Sequence, residues 1–296
     1  MVSMSSRRRF FRGEVPPVPP DGVSAGSART DGARRKKSRL KVTRIAVVLP
    51  HLPPAMDGFR IVQVSDLHLE PFTKPRHIQA MIDACNALAP DLVAMTGDFV
   101  TNHARSAGLL AELLAQLKAP CGVFACLGNH DFWSDHAVVE KALKERDIGV
   151  LRNETRRIHT GSGTLHLAGM DSRYVGHPKL HSTLADWKPG QPLVMMMHEP
   201  DVADDLAAAN VEALQLSGHT HGGQLRLMGR PPMAFRRARW GKKYLAGLYN
   251  TGSVQLYVNR GIGCVGVPLR VMCPPEITEI TLRSPLTHGE TMLVAA

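Results

Sequence analysis

Three times between residues 60 and 146 the chain repeats one grammar: a short apolar run, a small polar motif at its end, then an apolar pattern at helical spacing. Arg60–Ser65 ends in Asp66-x-His68 and is followed by Pro75–Leu88, where Ile78, Met81, Ile82, Cys85 and Leu88 share a face and Pro75 suits a first turn. Asp91–Thr96 ends in Gly97-Asp98 and leads to a helix over Ala104–Leu117, with Leu109, Leu110, Leu113, Leu114 and Leu117 assigned to its inner face. Gly122–Leu127 ends in Gly128-Asn129-His130-Asp131, with Ser134 placed as the cap of a third helix running to about Arg146. Alternating strands and helices predict a largely parallel sheet with helices outside. Sites in such sheets form beyond the carboxyl ends of the strands, so one site can collect all three motifs.

From about Gly149 the texture changes. Short strands are expected at Arg156–Thr160, Thr164–Met170, Leu193–Met197, Ala213–Ser217, Leu225–Leu227, Gln255–Asn259 and Glu276–Leu282, with one helix near Val202–Ala209. That predicts a second, more mixed sheet packed on the first. Two more polar elements end its apolar runs: His198 after Leu193–Met197, and Gly218-His219-Thr220-His221 after Ala213–Ser217.

Each element alone is weak evidence. Asp-x-His after a strand is ordinarily surface or capping chemistry, Gly-Asp is ordinarily a turn, and a single histidine is more often a satisfied core residue. Five such elements in order, each ending an apolar run, supply the donors of a two-metal centre. A pair of ions about 3.5–4 Å apart needs a shared anionic bridge. Asp98 can bridge; Asp66 and His68 can grip one ion, Asn129, His198 and His219 the other, and His221 returns to the first. Oxygen and imidazole donors without thiolate suit manganese, iron or zinc. A hydroxide held between the ions is expected to attack phosphorus in line. His130 follows Asn129 in what reads as a loop, placed to act as general acid or to stabilise charge on the leaving oxygen.

Charge is informative only once it is divided. Residues 1–44 carry 12 Lys/Arg against 3 Asp/Glu, whereas the rest is nearly balanced, although the whole chain has a formal charge of +10. The basic character therefore belongs to a Pro/Arg-rich tail, which cannot bury enough apolar area to offset chain entropy and is expected to be disordered. Residues 45–296 are assigned to a single domain, with ordered structure starting near Ile45. A neutral domain argues against nucleic acid as a partner. Arg34-Arg35-Lys36-Lys37-Ser38-Arg39 reads as a solvated linker, with attraction to an anionic membrane surface as the alternative. Ser6-Arg7-Arg8-Arg9-Phe10-Phe11-Arg12 resembles a twin-arginine export signal, but Gly13-Glu14-Val15-Pro16 stands where its apolar stretch belongs. The expected location is the cytoplasm, with peripheral attachment at the inner membrane as the variant. No stretch approaches the ~18 apolar residues of a membrane span. Five cysteines without a Cys-x-x-Cys pair read as reduced thiols.

Together, Asp66-x-His68, Gly97-Asp98, Gly128-Asn129-His130-Asp131, His198 and Gly218-His219-Thr220-His221 resemble the calcineurin-like metallophosphoesterase superfamily. The wider wording around them, from Asp57 through His198-Glu199-Pro200-Asp201 to Leu256-Tyr257-Val258-Asn259-Arg260-Gly261, is similar to its bacterial YaeI/YkuE-type phosphodiesterase branch. The resemblance implies an α/β fold, a four-layer α/β/β/α sandwich of the metallo-dependent phosphatase type. It carries Asp66, His68, Asp98 and His221 to one divalent ion and Asp98, Asn129, His198 and His219 to the other, and gives His130 the acid role. One departure stands out. Many members carry an Asp three residues after the Gly-Asp carboxylate to orient the catalytic histidine; here that position is Thr101, followed by Asn102 instead of the arginine of protein serine/threonine phosphatases. This counts against a phosphoprotein phosphatase and leaves Asp131 and Asp171 as candidates to orient His130.

The leading expectation is a metal-dependent phosphoesterase, a diesterase before a monoesterase. Its substrate is expected to be nucleotide-like, a glycerophosphodiester or a lipid-linked pyrophosphate, the last giving the basic tail a purpose at a bilayer. A non-catalytic scaffold of the same fold predicts lost ligands, whereas every ligand position here holds a competent side chain. Arg173, Arg236, Arg237 and Arg260 can contact a phosphate or face solvent.

Overall fold

The structure, a computed structural model, describes residues 40–226 and 243–287. Two six-stranded sheets form its centre. The first runs β1 (Lys41–Val48), β12 (Glu276–Arg283), β2 (Arg60–Val64), β3 (Leu92–Thr96), β4 (Val123–Cys126) and β5 (Gly149–Val150). β2 to β5 are parallel, β12 is antiparallel to β2, and β1 is parallel to β12. The second runs β10 (Gly247–Thr251), β11 (Val254–Val258), β9 (Ala213–Ser217), β8 (Leu193–Met196), β7 (Gly163–Gly169) and β6 (Glu154–Thr160). Its inner strands are parallel and its two edges antiparallel.

Side-chain alternation along each strand explains the layers. In the first sheet Ile61, Leu92, Ala94, Phe124 and Ile280 point at the second, where Leu165, Leu167, Val194, Met196, Leu214 and Leu216 meet them. The alternate residues Val62, Val64, Val93, Met95 and Ala125 point away, onto α1 (Pro75–Ala87), α2 (Ala107–Leu114) and α4 (His136–Lys144). On the far face of the second sheet Ala168, Leu193, Met195, Ala213 and Leu256 pack on Val202, Ala203 and Leu206 of α6 (Val202–Ala208). Both faces of each sheet are thus covered, which is why the strands read as continuous apolar runs. The result is the four-layer α/β/β/α sandwich. Near the carboxyl ends the buried Gln63 amide ties the sheets, donating to Thr96 Oγ1 at 3.1 Å and to the Ser217 carbonyl at 2.9 Å.

Several expectations shift. β1 begins at Lys41, so residues 41–44, assigned above to the tail, pair with β12; residues 1–39 of the tail lie outside the described residues. The helix expected over Ala104–Leu117 is a 3-10 turn at Ala104–Ser106 followed by the shorter α2, and its buried face is Ala107, Leu110, Ala111 and Leu114. Leu109 points outward, 46% exposed. Ser134 caps nothing; it ends α3 (Asn129–Ser134), and Asp135 caps α4 by accepting from the Ala137 and Val138 N–H groups at 3.1 and 3.3 Å. Leu225 makes an isolated bridge to Val271 in place of a strand, and residue 227 lies outside the described residues. β5 and β10 were not expected. No helix among the described residues is long and apolar enough to cross a membrane, and all five cysteines are free.

Candidate metal centre

All seven residues expected to hold metal come together beyond the carboxyl ends of β2, β3, β4, β8 and β9. Asp66 and His68 follow β2, Asp98 follows β3, Asn129 opens α3 after β4, His198 follows β8, and His219 and His221 follow β9. Adjacent strand ends are stitched by backbone bonds: Asp66 N–H donates to the Gly97 carbonyl, His68 N–H to the Asp98 carbonyl and Gly218 N–H to the His198 carbonyl, each at 3.0 Å. Asp66, His68, Asp98, His219 and His221 all have φ between 45° and 71°, the left-handed region that non-glycine residues seldom occupy. Gly97 lets the chains approach this closely. Its φ is +87°, and a Cβ there would lie 2.6 Å from Gly128 N and 2.8 Å from His198 Nδ1.

Asp66, His68, Asp98 and His221 are buried, and each offers a ligand atom within 4.8 Å of the others. Asp98 stands in the middle: its Oδ2 is 3.4 Å from His68 Nε2 and 3.1 Å from His198 Nε2. His68 Nε2 is 3.0 Å from His221 Nε2, which lies 3.3 Å from Asp66 Oδ1. On the other side of Asp98, His219 Nδ1 is 2.9 Å from Asn129 Oδ1, and the His198 and His219 rings cross at 81° with centroids 5.2 Å apart.

The electrostatics of this arrangement call for a cation. His198 Nδ1 is 2.7 Å from the Thr96 carbonyl, which can only accept, so that nitrogen carries the proton in the neutral ring. The Nε2 lone pair then faces the Asp98 carboxylate, buried and without a hydrogen-bond partner. Two buried electron-rich atoms at that separation need a positive charge between them. Without metal a proton serves. Burial alone would depress the His198 imidazole, but the Asp98 carboxylate holds it well above the ordinary histidine range. Burial alone would raise Asp98, but His198 and His68 hold it well below the ordinary carboxylate range. Burial pushes Asp66 up, while it pushes His219 down to about 3 and His221 well below the ordinary histidine range, keeping both rings neutral as ligands must be. The donor set therefore fits divalent metal.

His130 lies at the edge of this cluster, its ring 4.7 Å from that of His68, on the first turn of α3 and not in a loop. Neither candidate orienter touches its ring. Asp131 is buried and accepts from the N–H groups of Asp98 (3.0 Å), Phe99 (2.8 Å), Val100 (3.3 Å) and Gly128 (2.9 Å), holding the β3 and β4 loops together. Burial, aided by the neighbouring Asp98 charge, raises its pKa to about 7. Asp171 instead pairs with Arg152 at 2.8 Å. What orients His130 is the backbone carbonyl of Thr101, 2.7 Å from Nδ1. Burial lowers the His130 pKa.

Two further residues escaped sequence reasoning. Arg270 donates to the Gly263 carbonyl at 2.9 Å and approaches His221 Nδ1 and its carbonyl oxygen at 3.3 Å, clasping the turn that carries His221. Glu199, buried beside His198, accepts from Ser172 Oγ and from Arg173 N–H at 3.1 Å, anchoring the loop after β7. No local pattern marks either partner, since each is far away in sequence. Of the arginines considered for phosphate, Arg173 pairs with Asp205 and Arg260 with Glu276, while Arg236 and Arg237 lie outside the described residues.

Comparison with known proteins agrees with this picture. Residues 59–223 match the calcineurin-like phosphoesterase family model. The chain is 33% identical over 286 residues to the metallophosphoesterase YkuE of Bacillus subtilis, covering 94% of this chain and 98% of that one. It is 29% identical over 285 residues to the phosphodiesterase YaeI of Escherichia coli, covering 94% and 100%. It is 30% identical over 258 residues to a transmembrane protein with metallophosphoesterase domain from Danio rerio, covering 82% of this chain but only 57% of that one.

Proposed function

We propose that this chain, which belongs to the calcineurin-like phosphoesterase family, is a metal-dependent hydrolase of phosphodiester bonds with a two-ion centre. One observation carries the reading: the buried Asp98 carboxylate lies between two histidine sets, within 3.4 Å of His68 Nε2 on one side and 3.1 Å of His198 Nε2 on the other. A single carboxylate so placed would be shared by both ions. Asp66, His68, Asp98 and His221 would hold one ion, and Asp98, Asn129, His198 and His219 the second. The similarity to a named phosphodiesterase favours a diester over a monoester.

When bound, two divalent ions supply Lewis acidity: they make water a nucleophile near neutral pH and offset charge on the phosphoryl oxygens. The remaining work falls to the chain itself. The Thr96 carbonyl fixes the His198 ring so that Nε2 faces Asp98. Asp66 accepts the His219 backbone N–H at 3.0 Å and keeps the two histidines of that turn in register. Asp98 Oδ1 accepts the His130 backbone N–H at 2.8 Å, coupling the position of the acid to that of the bridge. The Thr101 carbonyl accepts the His130 Nδ1 proton, so Nε2 is the ring nitrogen left to face the leaving oxygen, and it can donate there only from the doubly protonated ring.

Turnover of bis(p-nitrophenyl) phosphate against p-nitrophenyl phosphate tests this. The full chain loaded with manganese, iron or zinc should cleave the diester faster and lose activity to a chelator. Two bound ions per chain are expected by elemental analysis. Absence of turnover of both esters with every metal would overturn the reading.

A further inference from the structure

Two partly exposed aromatic rings stand beside the metal centre without a role in holding it. Trp133 lies on α3, three residues after His130, and is 55% exposed. Tyr174, 44% exposed, lies in the loop after β7, where its N–H donates to Ser172 Oγ at 3.2 Å and Ser172 is in turn held by Glu199. The indole meets the His130 ring at 73° with centroids 4.8 Å apart. It meets Tyr174 at 88° and 6.1 Å, and Tyr174 meets His219 at 40° and 6.0 Å. One continuous line of rings therefore runs from His130 through Trp133 and Tyr174 to His219.

The right angle between indole and phenol makes a notch. A flat ring stacked on one face presents its edge to the other, and aromatic rings prefer both contacts. Among the described residues, Arg152 pairs with Asp171 and Glu140, and Arg173 with Asp205. The two ring faces are flat and largely apolar, suited to a ring.

The geometry points to Trp133 and Tyr174 as a specificity wall that receives a planar apolar group of the phosphoester, an aryl ring or a nucleobase. This assignment rests on the phosphodiesterase reading for its purpose, but its test does not need turnover. Calorimetric titration of the manganese-loaded full chain with phenylphosphonate and methylphosphonate reads the preference directly. The wild-type protein is expected to bind the phenyl compound at least about tenfold more tightly, the size of one stacking contact. Trp133→Ala and Tyr174→Ala should each lower that ratio several-fold, while Trp133→Phe, which keeps a ring in place, should retain most of it. Leu286→Ser, another exposed apolar site, should keep the wild-type ratio. Equal affinity of the wild-type protein for both phosphonates overturns the wall, as does a preference that survives both alanine changes or that Trp133→Phe loses as fully as Trp133→Ala. A wild-type chain that shows the preference yet cleaves no phosphoester would sink the hydrolase reading and leave the wall standing.

Discussion

The space between the two sheets and the rim at their carboxyl ends obey different rules. Between the sheets, Leu92, Leu165, Leu214, Ile280 and their neighbours are apolar and fully buried, in strands that alternate as strands should. At the rim, within a few residues of the same strands, the buried side chains are Asp66, His68, Asp98, His198 and His221, and the backbone turns left-handed at four of them. The interior lowers the free energy by excluding water. The rim raises it, by burying charge and holding residues in sparsely populated conformations, each costing of order 1–3 kcal/mol. The first region supports the second, and the separation can be tested by asking which property each substitution moves.

Asp98→Asn should have the largest effect. Removing the shared charge is expected to lower kcat/KM on a diester by about 10³-fold or more while the thermal midpoint changes little. A large fall in midpoint would mean that the rim also carries the fold. Leu214→Ala tests the converse: a loss of about 2–5 kcal/mol by denaturant titration, with kcat per folded molecule near wild type. Asp131→Ala should blur the boundary. It leaves four backbone donors of the β3 and β4 loops without their acceptor, so stability should fall by about 1–3 kcal/mol for each donor that water does not reach, and activity should fall with it. Thr101→Val should do least. The residue orients His130 through its carbonyl, which valine also has, and only the hydroxyl bond to the Glu70 carbonyl is lost, worth about 1 kcal/mol. A fall in kcat of the size expected for removing a general acid, about 10²-fold or more, would show that the side chain matters after all.

Much of the rim could be read from the sequence because it is written locally. A run such as Leu193–Met196 followed by His198, or Ala213–Ser217 followed by Gly-His-Thr-His, declares both the strand and what stands at its end. Strand pairing then gathers the motifs, and no long-range information is needed beyond the rule that sites form at carboxyl ends. What escaped was carried by the backbone or by distant partners. The orienter of His130 is a main-chain carbonyl, which leaves no trace in residue type. Asp131 looked like an orienter by position, yet its oxygens are taken by four amides. Arg270 reaches His221 across 49 positions. Ser134 and Asp135 are both good caps, and only the break between α3 and α4 selects the aspartate. β5 is two residues long, and β10 has no fully buried residue, so neither offers the periodic apolar signal by which strands are recognised.

The left-handed backbone at Asp66, His68, Asp98, His219 and His221 reaches beyond catalysis into how such a chain can decay. A copy freed from selection for turnover can shed its ligands, but not into any residue: valine, isoleucine or threonine at these positions would force the loops to rebuild. Asparagine and glycine fit the same torsions at little cost. Retired cousins should thus carry Asn or Gly at these five places far more often than drift alone would put them there.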